Sequence, residues 1–198
     1  MKVTNILQQV KQPGRYSVYV DGKFAFGLSE SGLLQSGLAS GQELTTTELA
    51  AHKKAAGLDK AYGNALRYVA MRPRSEWELT EYFRRKGIDG EATAVIINRL
   101  RGLDLLNDAA FAKAWVANRQ ALKPISKRRL VLELKQKHVA EDIITSAVTQ
   151  DSKDERNAIK KLIEKKRKSY TDPQKLLQYL ARQGFSYDDI KSVLYNDN

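Results

Sequence analysis

The chain's hydrophobic pattern has two periods, and the change between them falls near residue 29. Tyr16, Val18 and Val20 alternate with Ser17 and Tyr19, Asp21-Gly22 follows, and Phe24, Phe26 and Leu28 resume the alternation. A period of two around Asp-Gly predicts an antiparallel β-hairpin, because successive strand side chains face opposite sides and the tight turn needs residues that accept positive φ. Residues 3–9 are expected to add a third strand, since two strands alone are marginal in water. Beyond Leu28 the period becomes helical. It predicts a short helix over 29–35, then Thr45-Thr46-Thr47-Glu48 as caps for an alanine-rich helix reaching about Gly57.

From there to the end the helical pattern repeats three times. With Ser75, Ser126 and Asp172 aligned as caps, Leu79, Leu130 and Leu176 stand four residues on, and Phe83, Leu134 and Leu180 eight residues on. One apolar stripe thus recurs in three helices. Gly87, His138 and Gly184 hold equivalent positions at the helix ends, where glycine suits a left-handed residue, and apolar Ile88, Val139 and Phe185 follow. A further helix then places Thr93, Ile144 and Ile190, and next Ile96, Ala147 and Val193, on one face. Ser75 with Glu78 reads as a capping box, Asp172-Pro173 as a cap followed by a residue that needs no N–H partner, and Ser126 as a cap without the box. Each copy has a helix upstream, over about 62–71, 108–122 and 153–168, so the unit is three helices long. Pro73, Pro124 and Pro173 lie at its junctions.

The expected fold is mainly α: an elongated tandem array of three three-helix repeats after a small N-terminal antiparallel sheet with a connecting helix. The boundaries fall at residues 1–58 for the N-terminal segment and 59–198 for the array, with repeats at about 59–106, 107–151 and 152–198. Such repeats bury their apolar faces against their neighbours and offer a surface suited to a filament or groove.

Composition narrows the function without fixing it. There is no cysteine, so neither a disulfide framework nor a thiolate metal site is available. No stretch approaches the length of a membrane span, and the N-terminus lacks a signal peptide's apolar core, which leads us to expect a cytoplasmic monomer. The net charge is +11, of which residues 1–60 supply only +2. The positive field of the remainder favours a polyanion or an acidic protein surface.

Catalytic patterns are missing. Gly22-Lys23 is followed by Phe24 where a nucleotide-binding loop needs Ser or Thr. His52 and His138 share no metal-ligand spacing. The carboxylate pairs Glu141-Asp142 and Asp188-Asp189 fall in first helical turns, where they complement the helix dipole. The basic clusters remain: Arg67, Arg72 and Arg74, then Arg84, Arg85 and Lys86, in the first repeat; Arg119, Lys127, Arg128 and Arg129 in the second; Lys160, Lys161, Lys165 and Lys168 in the third. These are the candidate partner-binding or nucleic-acid-binding residues, with no catalytic, metal or cofactor site. Arginine's planar fork suits carboxylate and phosphate, whereas lysines in a last turn also serve the helix dipole. Phe111, Trp115 and Arg119, spaced i, i+4, i+8, and Leu79, Tyr82 and Phe83 read as packing stripes.

The segment from Arg72-Pro73-Arg74-Ser75-Glu76-Trp77-Glu78-Leu79 to Arg84-Arg85-Lys86-Gly87 resembles the RecX family of regulatory proteins. Leu106-Asn107-Asp108, Phe111-Ala112, Trp115-Val116 and Arg119, then Ser126-Lys127-Arg128-Arg129-Leu130 with Glu133-Leu134, are similar to the family's second block. The likeness covers about 61–198, and the N-terminal hairpin is similar to an extension of some members. His138 departs from the glycine of the neighbouring copies, and the third repeat keeps only the apolar pattern. The resemblance implies a non-enzymatic protein, without cofactor, that binds the RecA nucleoprotein filament on single-stranded DNA and modulates, usually inhibits, its recombinase and co-protease activities in DNA repair and the SOS response. The charge alone leaves open a helical-repeat protein that binds single- or double-stranded DNA directly, and the hairpin leaves open an adaptor that pairs through an edge strand.

Overall fold

The computed structural model describes residues 1–149 and 151–195. Strands β1 (Val3–Gln8), β2 (Arg15–Val20) and β3 (Lys23–Ser29) form one antiparallel sheet in that order. Asp21 and Gly22 both take positive φ, 48° and 78°, as a tight primed turn demands. Ten helices follow among the described residues: α1 (Glu30–Ser36), α2 (Thr46–Ala70), α3 (Glu76–Arg85), α4 (Gly90–Gly102), α5 (Asp108–Leu122), α6 (Lys127–Lys135), α7 (Glu141–Ala147), α8 (Ser152–Lys166), α9 (Pro173–Arg182) and α10 (Tyr187–Tyr195). No helix among them is long and apolar enough to cross a membrane.

One sequence expectation is corrected. The alanine-rich helix does not stop near Gly57 to restart at Tyr62; α2 runs unbroken for 25 residues through Gly57 and Gly63. Each glycine costs about 1 kcal/mol relative to alanine inside a helix, which weakens the helix without ending it. Nothing here supplies a terminating signal. A capping box between Thr45 and Glu48 starts the helix, and buried Ala56, Ala61 and Ala65 anchor it along its length.

The chain divides into two compact units, one made of residues 1–72 with 79–105, the other of 73–78 with 106 onward. In the first, Val3, Val18, Phe26 and Leu28 of the sheet share a core with Leu38, Leu44 and Ala56. Asp59 of α2 pins the end of the sheet: it accepts a hydrogen bond from the Ser29 amide at 2.8 Å and a short one from the Ser29 hydroxyl, and lies 3.6 Å from Arg15. In the second unit, Phe111, Ala112, Leu130, Leu134, Val139 and Ile144 form the core of the α5–α7 triplet. Ile159, Leu162, Leu176, Leu180, Phe185 and Ile190 form that of α8–α10.

The stripes aligned by sequence are the buried ones: Leu79, Leu130, Leu176, Phe83, Leu134 and Leu180 are all inaccessible or nearly so. The three helix ends repeat as well. Gly87, His138 and Gly184 have φ of 68°, 54° and 94°. In each copy the following amide (Ile88, Val139, Phe185) donates back to a carbonyl in the helix (Phe83, Leu134, Leu180), which is the Schellman closure. His138 adopts the left-handed conformation without being glycine.

Candidate partner interface

The two serine caps do more than start helices. A serine hydroxyl can accept one hydrogen bond and donate another. Ser75 accepts from the Glu78 amide at 3.2 Å and donates to the Lys137 carbonyl at 3.1 Å. Ser126 accepts from the Arg129 amide at 3.2 Å and donates to the Gln183 carbonyl at 2.8 Å. Both are fully buried. Each therefore satisfies the start of its own helix and the end of a helix in the next repeat, two places where backbone groups otherwise lack partners. A second bond repeats alongside: the Glu76 amide donates to Asp108 at 2.9 Å, and the Lys127 amide to Glu155 at 2.6 Å. Asp172, the third cap, accepts from the Gln174 amide, and its carboxylate has no proton to donate onward.

The first joint is reinforced by Lys137, whose ammonium meets the buried Glu78 carboxylate at 2.7 Å, and by Trp77 stacked on His138 with centroids 4.6 Å apart. At the second, Gly184 leaves no room for a side chain: a Cβ there would stand 2.7 Å from Ser126 Oγ and 3.5 Å from Arg128 Cβ. Burial pushes the Glu155 carboxyl above its ordinary value, although the Lys127 amide opposes this.

These joints set where the basic side chains sit. Lys127, Arg128 and Arg129 occupy the first turn of α6, exposed, beside the end of α9. Arg119 turns inward: its guanidinium grips Glu133 through Nε at 2.7 Å and Nη2 at 2.5 Å, with Trp115 Nε1 donating to the same carboxylate at 3.1 Å and Arg129 Nε at 3.5 Å. Burial alone would raise the Glu133 carboxyl, but Arg119, Trp115 and Arg129 together hold it below the ordinary range. Arg119 therefore braces α5 against α6, while Arg128 and the outer part of Arg129 face solvent.

In the first repeat Arg84 and Arg85 are exposed in the last turn of α3, where Glu81 orients both. Its carboxylate lies 3.0 Å from Arg84 Nε, and its carbonyl accepts from Arg85 Nε at 3.2 Å. Lys86 is exposed beside them. Arg67 lies in the last turn of α2 and donates to Asn64 at 2.5 Å. Arg72 and Arg74 flank Pro73 between α2 and α3, Arg72 exposed and Arg74 half-buried. In the third repeat Lys160, Lys161 and Lys165 are exposed on α8 and Lys168 just past its end. Lys161 shares a polar recess of about 520 Å³ with Gln120, Lys123, Asp154 and Asn157. Of those neighbours Lys123 is a cation, Gln120 and Asn157 are neutral amides, and Asp154 is a carboxylate. His52 stacks on Phe26, and no cluster of metal-ligating side chains occurs among the described residues. Each of the two units thus presents basic helix ends of its own, suited to holding an anionic or acidic surface.

Comparison with known proteins gives the same order of parts. Residues 1–45 match the regulatory protein RecX N-terminal domain, 61–100 the first RecX three-helix domain, 107–148 the second and 154–194 the third. Regulatory protein RecX of Leuconostoc citreum is 31% identical over 205 residues, covering all of this chain and 77% of that protein. Regulatory protein RecX of Caldanaerobacter subterraneus subsp. tengcongensis is 27% identical, with 98% of each chain covered. The crystal structure of a regulatory protein RecX superposes with a TM-score of 0.79 at 31% identity, covering 97% of this chain and 98% of that one.

Proposed function

The chain belongs to the RecX family of regulatory proteins, and from that premise we propose that it docks on the RecA recombinase filament assembled on single-stranded DNA and restrains it. The observation that carries the reading is the succession of four family segments, in family order, from residue 1 to residue 194. The arginine-bearing helix ends of the first two repeats, Arg84-Arg85 and Arg128-Arg129, make the main contacts. A polymeric target presents the same acidic features at regular intervals, so contacts from successive repeats add through local concentration even where each alone is weak. Binding one state of the filament in preference to another shifts the population of that state by the difference in affinity. No bond is made or broken, no cofactor takes part, and the action belongs in the cytoplasm with the filament. The consequence is reduced recombination and reduced co-protease activity in the SOS response.

The test is the rate of ATP hydrolysis by RecA on single-stranded DNA, measured while this protein is added. The expected result is a progressive fall in rate. An unchanged rate at several-fold molar excess over RecA overturns the reading.

A further inference from the structure

We infer that the outward face of α8 is a binding surface for the phosphodiester backbone of DNA, distinct from the arginine-bearing helix ends that meet the recombinase. The choice of DNA as the polyanion rests on the function proposed above; the surface itself does not. Between residues 156 and 168 there are seven basic side chains and one carboxylate, Glu164, so this stretch carries +6 of the chain's +11. At 100° per residue, Arg156, Lys160, Lys161 and Lys165 fall on one arc with Asp154, Asn157 and Glu164, and Lys168 follows just past the helix end. The opposite arc, Ala158, Ile159 and Leu162, is buried in the third repeat's core. From Arg156 to Lys165 the helix rises about 14 Å at 1.5 Å per residue, the axial length of about four phosphates of one strand.

The helix dipole does not explain this face. Complementing the helix dipole requires cations only in the last turn, whereas Arg156, Lys160 and Lys161 lie one to three turns upstream. Arg156 with Lys160, and Lys161 with Lys165, are like charges at i, i+4, which weaken the helix that carries them.

An acidic protein surface fits less well. Protein interfaces are depleted of lysine and built round aromatic, methionine or arginine anchors; among the described residues no large apolar side chain is exposed on α8, and exposed Leu122, in the recess beside it, has no aromatic or methionine among the other lining residues. A polyelectrolyte needs no such anchor, since neutralising its phosphates releases counterions. The recess where Lys161 meets Lys123, Gln120 and Asn157 adds amide donors beside two ammonium groups, with Asp154 as its one carboxylate; two cations against one anion leave it net positive, and amide donors hold phosphate oxygens without reading bases.

The experiment uses the full chain and a fluorescein-labelled oligothymidylate, with no recombinase present, titrated at several salt concentrations. Failure here is thereby separated from failure of the filament reading, which stands on ATP hydrolysis. Binding should weaken with salt, and K161Q/K165Q/K168Q should lower the slope of log affinity against log salt by about 2, at roughly 0.7 per phosphate contact on a single strand. At 0.1 M salt the same loss is on the order of a hundredfold in affinity. K161R/K165R/K168R should keep the wild-type slope, and so should R84Q/R85Q. Circular dichroism verifies that each variant is folded. A wild-type slope near zero overturns the proposal, as does a folded glutamine variant with undiminished affinity. Displacement of the oligothymidylate by oligoglutamate at equal charge concentration also overturns it, in favour of an acidic protein partner.

Discussion

Replacing Gly184 by alanine probes the joint between the second and third repeats with a single methyl group. Gly184 has φ of +94°, and an L residue in the left-handed region costs about 1–2 kcal/mol. The added Cβ would stand 2.7 Å from Ser126 Oγ and 3.5 Å from Arg128 Cβ, so the serine must rotate. It then gives up its bonds to the Gln183 carbonyl and the Arg129 amide. Ser126 is fully buried, and leaving such groups without partners costs about 1–3 kcal/mol. The total is about 2–5 kcal/mol. Gly87 supplies the control: its φ is +68° but a Cβ there meets nothing within 4 Å, so G87A should cost only the conformational part, about 1–2 kcal/mol. Urea denaturation followed by circular dichroism measures both, and the fluorescence of Trp77 and Trp115 reports separately on the second unit, where Gly184 lies. Equal losses for G184A and G87A would refute the serine-bridged joint.

Leu79→Ala and Leu134→Ala, at fully buried positions, should each lose about 2–5 kcal/mol in the same denaturation experiment; losses near zero contradict the shared stripe. The folded pKa of Glu133 is depressed, so its contribution is present above the unfolded value and disappears as pH falls through the folded one. The stability gap between wild type and E133Q should therefore close in acid, below about pH 4, and a pH-independent gap rules that out. Glu155 has the opposite sign: its raised folded pKa gives stability that is complete below the unfolded value and is lost as pH rises through the folded one. E155Q, which keeps an acceptor for the Lys127 amide, should thus gain on wild type between pH 4 and neutrality, as thermal melts across that range would record. R84E/R85E and R128E/R129E should each weaken filament binding by about tenfold or more, taking 1.4 kcal/mol as the lower bound for a lost arginine anchor, with unchanged circular dichroism. Wild-type binding by both would remove the arginine helix ends from the interface.

Local signals in the sequence specify the elements, and long-range contacts complete the site. Asp21-Gly22 specifies the hairpin because few residue pairs take two positive φ values in succession. The caps Ser75, Ser126 and Asp172 mark three helix starts, and Gly87 and Gly184 two of the three ends, since each answers a backbone need of its own neighbourhood. His138 occupies the third left-handed position, with its ring stacked on Trp77, a contact that no local pattern announces. Gly57 and Gly63 do not interrupt α2, because glycine lowers helix propensity without specifying a stop. The serine bridges join residues far apart in the chain, and equivalence between repeats specifies which positions correspond, not which touch. Arg119 carried its own signal. Its place at i+8 behind Phe111 and Trp115 puts it on the packed side of α5, where Glu133 receives it. The boundary expected between residues 58 and 59 falls inside α2, so a deletion that spares this helix must end ahead of the Thr45 cap.

The central claim is that the partner is an assembled filament and not either of its components. Fluorescence titrations of labelled protein against RecA alone, single-stranded DNA alone and RecA polymerised on that DNA test it directly, in one buffer at one salt concentration. The account predicts saturable binding to the polymerised complex at least tenfold tighter than to naked DNA or to free RecA, a difference of about 1.4 kcal/mol or more. Affinity for naked DNA equal to that for the complex would contradict it.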